Sequence, residues 1–230
     1  LSDAYVREVS FELRAGEVLG VAGLMGAGRT ELARLLFGLE RPAQGSVQLD
    51  GAPIRLHTPT QAIAAGLGFV TEDRKAQGLV LDLSLRENIS LPRVPARAGL
   101  VDRRREKAQT GELIERLHIR TRDMELPVRA LSGGNQQKVV LAKWLALAPR
   151  VLILDEPTRG VDIGGKAEIY QIINRLAEQG VAILMISSEL PEVLAMSDRI
   201  LVMHEGRAAA LLDARGATQE SVMHAATGGR

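Results

Sequence analysis

At 230 residues, 46% of them hydrophobic but only 3% aromatic, the chain is sized for one large domain, or a domain with a subdomain, around an aliphatic core. A formal net charge of +1 supplies no field for nucleic acid, and the lack of cysteine excludes disulfides and thiolate metal sites and fits a reducing compartment. No apolar run approaches the ~18 residues of a membrane span and the N-terminus does not read as a signal peptide, so the sequence predicts a soluble chain that meets a membrane only through a partner.

Tyr5–Leu13 alternates as a half-buried strand does. Ala15-Gly16 turns the chain into a second strand, Glu17–Ala22, which feeds Gly23-Leu24-Met25-Gly26-Ala27-Gly28-Arg29-Thr30. This is G-x-x-x-x-G-x-T between a strand and a helix (Thr30–Phe37, stopped by Gly38), the context that a phosphate-binding P-loop requires. The glycines let the backbone curl so that its N–H groups face phosphate oxygens. Gly23, Gly26, Ala27, Gly28, Arg29, Thr30 and Glu31 are therefore candidate nucleotide contacts, and the Thr30 hydroxyl is the candidate ligand for Mg²⁺. Arg29 stands where this motif has lysine, and a planar, forked guanidinium does not replace a compact ammonium.

Gly45–Asp50, Gly51 and Pro53–Leu56 read as a hairpin-like pair about an Asp-Gly turn. Thr58-Pro59-Thr60-Gln61 is a capping box with proline at the first helical position, opening a short helix that ends at Gly66. Leu67–Thr71 is a further strand, which empties into Glu72-Asp73-Arg74. Residues 80–130 read as helical and charged, with a segment at Leu85–Ile89, a linker marked by Pro92, Pro95 and Gly99, and a longer helix from about Asp102 to Leu117. Arg103-Arg104-Arg105 reads as a solvated face.

Leu131-Ser132-Gly133-Gly134-Asn135 is a small-residue turn before a helix of about Gln136–Leu147, ended by Ala148-Pro149. Bare N–H groups of Ser132, Gly133 and Gly134 at that N-terminus attract anions. Val151–Leu154 has the length and β-branched character of a buried parallel strand. Asp155 and Glu156 follow at its C-terminal edge, where open α/β sheets bind their ligands. Ala167–Gln179 is an amphipathic helix stopped by Gly180, and Val181–Ile186 a buried strand ending in Ser187-Ser188-Glu189. Arg199–Met203, a Glu205-Gly206 turn and a last strand and helix finish the chain. His57, His118, His204 and His224 read as surface or core residues.

LSGGNQQK at 131–138, followed by LILDEPTRGVD at 152–162, resembles the signature and acidic motif of ABC-type ATPases. The wording is most similar to ATPases of bacterial monosaccharide importers of the ribose, galactose and xylose type, and the likeness runs over essentially all 230 residues. The resemblance implies an α/β P-loop NTPase fold with a RecA-like, mostly parallel sheet core, an antiparallel β subdomain and a helical subdomain. It implies a single nucleotide-binding domain, with the core in 1–79 and 148–230 and the helical subdomain in 80–147. ATP and Mg²⁺ are the implied cofactors, with Glu156 polarising the attacking water and Asp155 and Thr30 holding the metal. Ser132, Gly133 and Gly134 would meet the nucleotide of a partner domain, and Gly160-Val161-Asp162 resembles the loop that crosses to it.

The implied partners are an N-terminal nucleotide-binding domain of the same or a paired chain, transmembrane permease subunits and, indirectly, a periplasmic sugar-binding protein; nucleic acid is not among them. The implied location is peripheral, at the cytoplasmic face of the bacterial inner membrane. Three positions depart from the family pattern: Arg29 for lysine, Glu72 for the glutamine that senses the γ-phosphate, and Ser188 for the histidine that contacts it. Such departures look like the second, C-terminal domain of a tandem protein, whose own P-loop site is altered while its intact Leu131–Gln137 completes the partner's. Two activities follow: hydrolysis of ATP to drive sugar uptake, with the isolated domain slow or inactive, or a non-hydrolysing, nucleotide-binding partner domain. A nucleoside-like cargo is the alternative to a sugar. Tyr5 is the candidate for stacking on adenine.

Overall fold

The computed structural model of the chain describes Leu1 and residues 5–97 and 99–229. In chain order the elements are β1 (Val18–Gly23), α1 (Arg29–Leu36), β2 (Val47–Leu49), β3 (Ala52–Ile54), α2 (Pro59–Ala64) and β4 (Leu67–Val70). After a π-turn at Arg74–Gly78 come α3 (Leu85–Ser90), β5 (Ala96–Arg97), β6 (Leu100–Val101), α4 (Arg103–Arg116), a 3₁₀ turn at Val128–Ala130 and α5 (Gly133–Leu145). The remainder is β7 (Val151–Asp155), α6 (Ile163–Glu178), β8 (Ala182–Ile186), α7 (Leu190–Met196), β9 (Arg199–His204), β10 (Arg207–Asp213) and α8 (Gln219–Ala226). Two compact units result: Leu1–Phe69, Arg150–Glu156 and Ile173–Arg230 form one, and Val70–Pro149 with Pro157–Ile172 the other.

The first unit is built on a six-stranded sheet in the order β10-β9-β1-β8-β7-β4. β1 lies parallel to both β8 and β9, and β7 parallel to β8, with Leu19 opposite Leu184 and Leu152 opposite Ile183. Only β10 is shown antiparallel to its neighbour, β9, because the Glu205-Gly206 turn between them is too short for a crossover. Strands buried on both faces need continuous aliphatic runs, and Leu152, Ile153, Leu154, Ile183, Leu184 and Met185 are all essentially sealed from solvent. Phe37 and Phe69 add a tilted ring pair 5.3 Å apart. β2 and β3 form the small antiparallel hairpin, closed by Asp50 and Gly51 at φ 51 and 76, the two positive values that a type I′ turn demands.

Tyr5–Leu13 does not form the strand expected of it. Val9, Phe11 and Leu13 do turn inward and Ser10 and Glu12 outward, but no ladder accompanies the alternation. Glu8 at φ 55 takes the backbone out of the extended region, and the neighbouring amides bond elsewhere: Val9 N–H to Leu1 O at 3.1 Å and Arg7 N–H to Gly206 O at 2.6 Å. The capping box at Thr58 is half made. Thr58 accepts from Gln61 N–H, but the Gln61 side chain reaches past it to His57 N–H at 2.9 Å.

In the second unit α3 packs on α4 and α5. Ser84 and Glu87 make a complete capping box at the start of α3. The charged stretch 80–130 is not solvated throughout: Arg86 and Glu106 are buried and paired at 2.7 Å, and Glu125 grips Arg86 at 3.0 Å. Arg103, Arg104 and Arg105 are exposed, as their sequence suggests. No helix among the described residues is long and apolar enough to cross a membrane.

Candidate functional site

The loop Leu24–Gly28 joins β1 to α1 at the carboxyl edge of the parallel strands. Gly23 sits at φ 156, and a Cβ there would stand 2.5 Å from Met203 O and 3.0 Å from the Ala27 side chain. Gly28 caps α1 in the left-handed region at φ 92 and lies close to Gly206 and the Tyr5 carbonyl. Gly26, at φ 78, faces open space, and Met25 beside it is 96% exposed. A backbone curled by three glycines over an open face, feeding a helix N-terminus, is a cradle for an anionic group. Ala27 and Gly28 are buried, while Arg29, Thr30 and Glu31 are half-buried in the first turn of α1.

At the end of β7, Asp155 is 1% exposed. Glu156 follows at φ 50, a left-handed conformation that costs a non-glycine residue about 1–3 kcal/mol and is held here by its N–H bond to Ile186 O at 2.9 Å. Ser188 donates to the Glu156 carboxylate at 3.1 Å. Burial pushes the Glu156 pKa above the usual carboxylate range; the Ser188 hydrogen bond and the Arg29 charge oppose that rise without cancelling it. Arg29 itself donates from Nη1 to Ser187 O at 2.8 Å, at the carboxyl end of β8. The Ser187 hydroxyl in turn donates to Glu192 and accepts from Glu189 N–H at 3.0 Å. Three departures of the sequence thus have distinct surroundings. Arg29 is anchored to a backbone carbonyl, Ser188 holds the Glu156 carboxylate, and Glu72, in the second unit, is ion-paired with Arg159.

The turn before α5 belongs to the second unit. Ser132 is the N-cap, and its hydroxyl accepts from the Asn135 amide at 2.9 Å. Asn135 Oδ1 takes the Arg120 N–H at 2.8 Å, so this side chain orients the turn from both ends. The helix starts at Gly133, three residues before the sequence suggests, because Ser132 caps it by accepting the backbone N–H of Asn135. Gly133 has no room for a side chain: a Cβ would meet Arg74 Nη2 at 2.9 Å and Gly160 O at 3.2 Å. Further along α5, Lys138 reaches His118 O at 2.9 Å and Glu168 at 2.5 Å. Lys143 donates to Gly78 O at 2.5 Å and lies 5.3 Å over the Trp144 ring, and burial pushes its pKa down to about 8.

The glycine loop, Thr30, Asp155, Glu156 and Ser188 fall in one unit, and Glu72 with Ser132–Gly134 in the other. The donor set Thr30 hydroxyl plus buried Asp155 carboxylate suits Mg²⁺, a hard cation that prefers few protein oxygens and several from water or phosphate. Tyr5 is 68% exposed. Sequence reasoning passed over Asn135, Arg159 and Arg74; only the first has a local signal, its place three residues after an N-cap serine. A cavity of about 720 Å³ in the first unit is lined by the 9–14 segment, the β2–β3 hairpin and Leu67, Ile153 and Leu184, apart from all of these residues.

Residues 6–159 match the sequence pattern of the ABC transporter family. The ribose import ATP-binding protein RbsA of Chromobacterium violaceum is 61% identical over 223 residues, which cover 96% of this chain and 44% of that protein. RbsA of Bacillus subtilis is 56% identical over 225 residues, covering 97% and 46%. The chain therefore spans about half the length of the curated relatives it matches. Among solved structures, cbiO1 of Clostridium perfringens, described as part of an ABC transporter complex, superposes with a TM-score of 0.79 at 24% identity over 96% of this chain and 86% of that one.

Proposed function

The chain belongs to the ABC transporter family, and on that premise we propose that it is the ATP-binding part of a ribose-type importer, coupling ATP binding and hydrolysis by the assembled complex to uptake of a monosaccharide. In this reading residues 1–230 are one nucleotide-binding domain, with a core in 1–79 and 148–230 and a helical subdomain in 80–147. It is the C-terminal half of a tandem protein, peripheral to the inner membrane, working against an N-terminal domain and transmembrane permease subunits that receive sugar from a periplasmic binding protein.

Phosphoryl transfer depends on positioning and on charge stabilisation around the γ-phosphate. In the P-loop site Gly23, Gly26, Ala27, Gly28 and Glu31 would shape the cradle, and Thr30 and Asp155 would hold Mg²⁺, which would neutralise phosphate charge when bound. Glu156 is the group aimed at the attacking water. Its carboxylate, however, already accepts from Ser188, and the one P-loop cation, Arg29, is tied to Ser187 O. That second bond is the observation that carries the reading. A guanidinium anchored to the backbone carbonyl just after β8 is not free to follow a γ-phosphate as a lysine would. The domain accordingly binds nucleotide and contributes little turnover, while Ser132, Gly133 and Gly134 complete the site of its partner.

Titration of the chain with ATP and Mg²⁺, followed by single-turnover hydrolysis, tests this. Binding with slow or no turnover is expected. Turnover at a rate typical of a complete ABC site would overturn it, as would no binding at millimolar ATP.

A further inference from the structure

No motif assigns a task to Arg74, yet its guanidinium stands where three segments of the second unit meet. Nη1 donates to Arg159 O at 2.5 Å and Nη2 to Gly160 O at 3.1 Å. The same Nη2 lies 2.9 Å from where a Cβ on Gly133 would be, so the absence of a side chain at the first residue of α5 is what admits the guanidinium. Gly160, at φ 65, also has both Nη atoms 3.5 Å from its own Cβ position. Two further contacts brace the base of this arrangement. Glu72 pairs with Arg159, and Asp73 accepts from Lys75 N–H at 2.9 Å and Ala76 N–H at 3.0 Å, fixing the backbone on which Arg74 is mounted.

The chemistry of the contact is specific. Two successive carbonyls ask for a fork, and arginine supplies two donors in a fixed plane where lysine supplies one point. The side chain is half-buried, and its Nε has no partner among the described residues. Burial also draws its pKa below the usual value. A solvated surface arginine has neither property.

We propose that Arg74 is a positioning residue that clamps the 159–160 loop against Gly133, so that the Ser132–Gly134 turn and the loop beside it offer one fixed surface to the partner domain's nucleotide. Its consequence for hydrolysis rests on the importer reading above; the clamp itself does not.

Two measurements on Arg74→Ala and Arg74→Lys test it. In hydrogen exchange of the whole chain, Arg74→Ala should speed exchange about tenfold or more in both 132–136 and 159–163, since it deletes two charge-assisted bonds. Exchange in 18–23 and 182–186 should stay as in the parent, and Arg74→Lys should fall between. Gly133→Ala should raise exchange at 159–163 in the parent, but distinctly less on top of Arg74→Ala, because the side chain it displaces is gone. In the assembled importer, Arg74→Ala should lower kcat about tenfold while the stoichiometry of ATP binding by the chain's own P-loop stays constant, which a variant that merely unfolds would not allow.

Parent-like exchange at either segment overturns the proposal. So does a rise spread over the whole chain, or kcat within about twofold of the parent while exchange at both segments rises. If the parent complex shows no ATPase activity, the importer reading is what fails, and the exchange cycle with Gly133→Ala still decides the clamp.

Discussion

Replacing Lys143 with methionine probes how α5 is fastened to the π-turn that follows Glu72. The ammonium is buried on α5 and donates to Gly78 O, the last residue of that turn. Burial brings its pKa from 10.5 to about 8, a gap that corresponds to roughly 3 kcal/mol of penalty for keeping the group charged at pH 7. A lysine whose folded pKa is depressed binds its proton more weakly when folded. The penalty is therefore complete below pH 8 and is relieved as pH climbs from about 8 towards 10.5. With those two values the native state gains about 2 kcal/mol between pH 7 and 9.5 from this residue alone.

Lys143→Met removes the titration but strands the Gly78 carbonyl, a loss of about 1–3 kcal/mol that offsets the relief at neutral pH. Net stability at pH 7 should thus change little. The pH slope should change a great deal. Urea unfolding of parent and variant at pH 7 and 9.5 gives the answer directly: the difference in unfolding free energy between them should shift by about 2 kcal/mol across that range. Parallel pH profiles would show that the ammonium is not desolvated in the folded chain and would refute the argument.

Four other substitutions bear on the P-loop side. Gly23→Ala places a Cβ 2.5 Å from Met203 O and should abolish ATP binding in a titration, whereas Gly26→Ala, with nothing within 4 Å, should cost only the roughly 1–2 kcal/mol of a left-handed alanine in thermal unfolding. Arg29→Lys releases the Ser187 carbonyl and restores a point charge, so ATP affinity of the chain should rise by about tenfold in isothermal titration. Glu156 has its pKa raised by burial, so its penalty is absent below the ordinary 4.5 and complete above the folded value. Glu156→Gln should accordingly raise the melting temperature at pH 7 and do so distinctly less at pH 4.

Local chemistry explains what was legible in the sequence. The loop Gly23–Thr30 lies between a strand and a helix because β-branched and glycine-rich runs sit side by side there. Asp50-Gly51 could only turn a hairpin, and Asp155-Glu156 follows an aliphatic run short enough to be one buried strand. What failed depends on partners far along the chain or on single side chains. The alternation in Tyr5–Leu13 correctly gave the inward residues but could not reveal that no strand pairs with them. α6 begins at Ile163, ahead of the expected Ala167, because Asp162 takes the Gly165 N–H at 2.7 Å and carries the helix through two glycines. α7, only seven residues long, and the π-turn at Arg74–Gly78 are too short to show a period. Arg29 was legible as a departure, but its acceptor is 158 residues away; Arg74 and its carbonyls are separated by 85 and 86.

Under the function proposed above, this chain serves a partner's nucleotide through Ser132–Gly134 more than it turns over its own. Steady-state ATPase of the assembled importer carrying Glu156→Gln or Ser132→Arg tests that most directly. Ser132→Arg forces bulk onto the N-cap of α5 and should lower activity at least about 10²-fold, whereas Glu156→Gln should cost less than about tenfold, and far less than the same change in the N-terminal domain. Equal damage from Glu156→Gln in the two domains would contradict the claim, and would make the site around Arg29 and Ser188 a catalytic one.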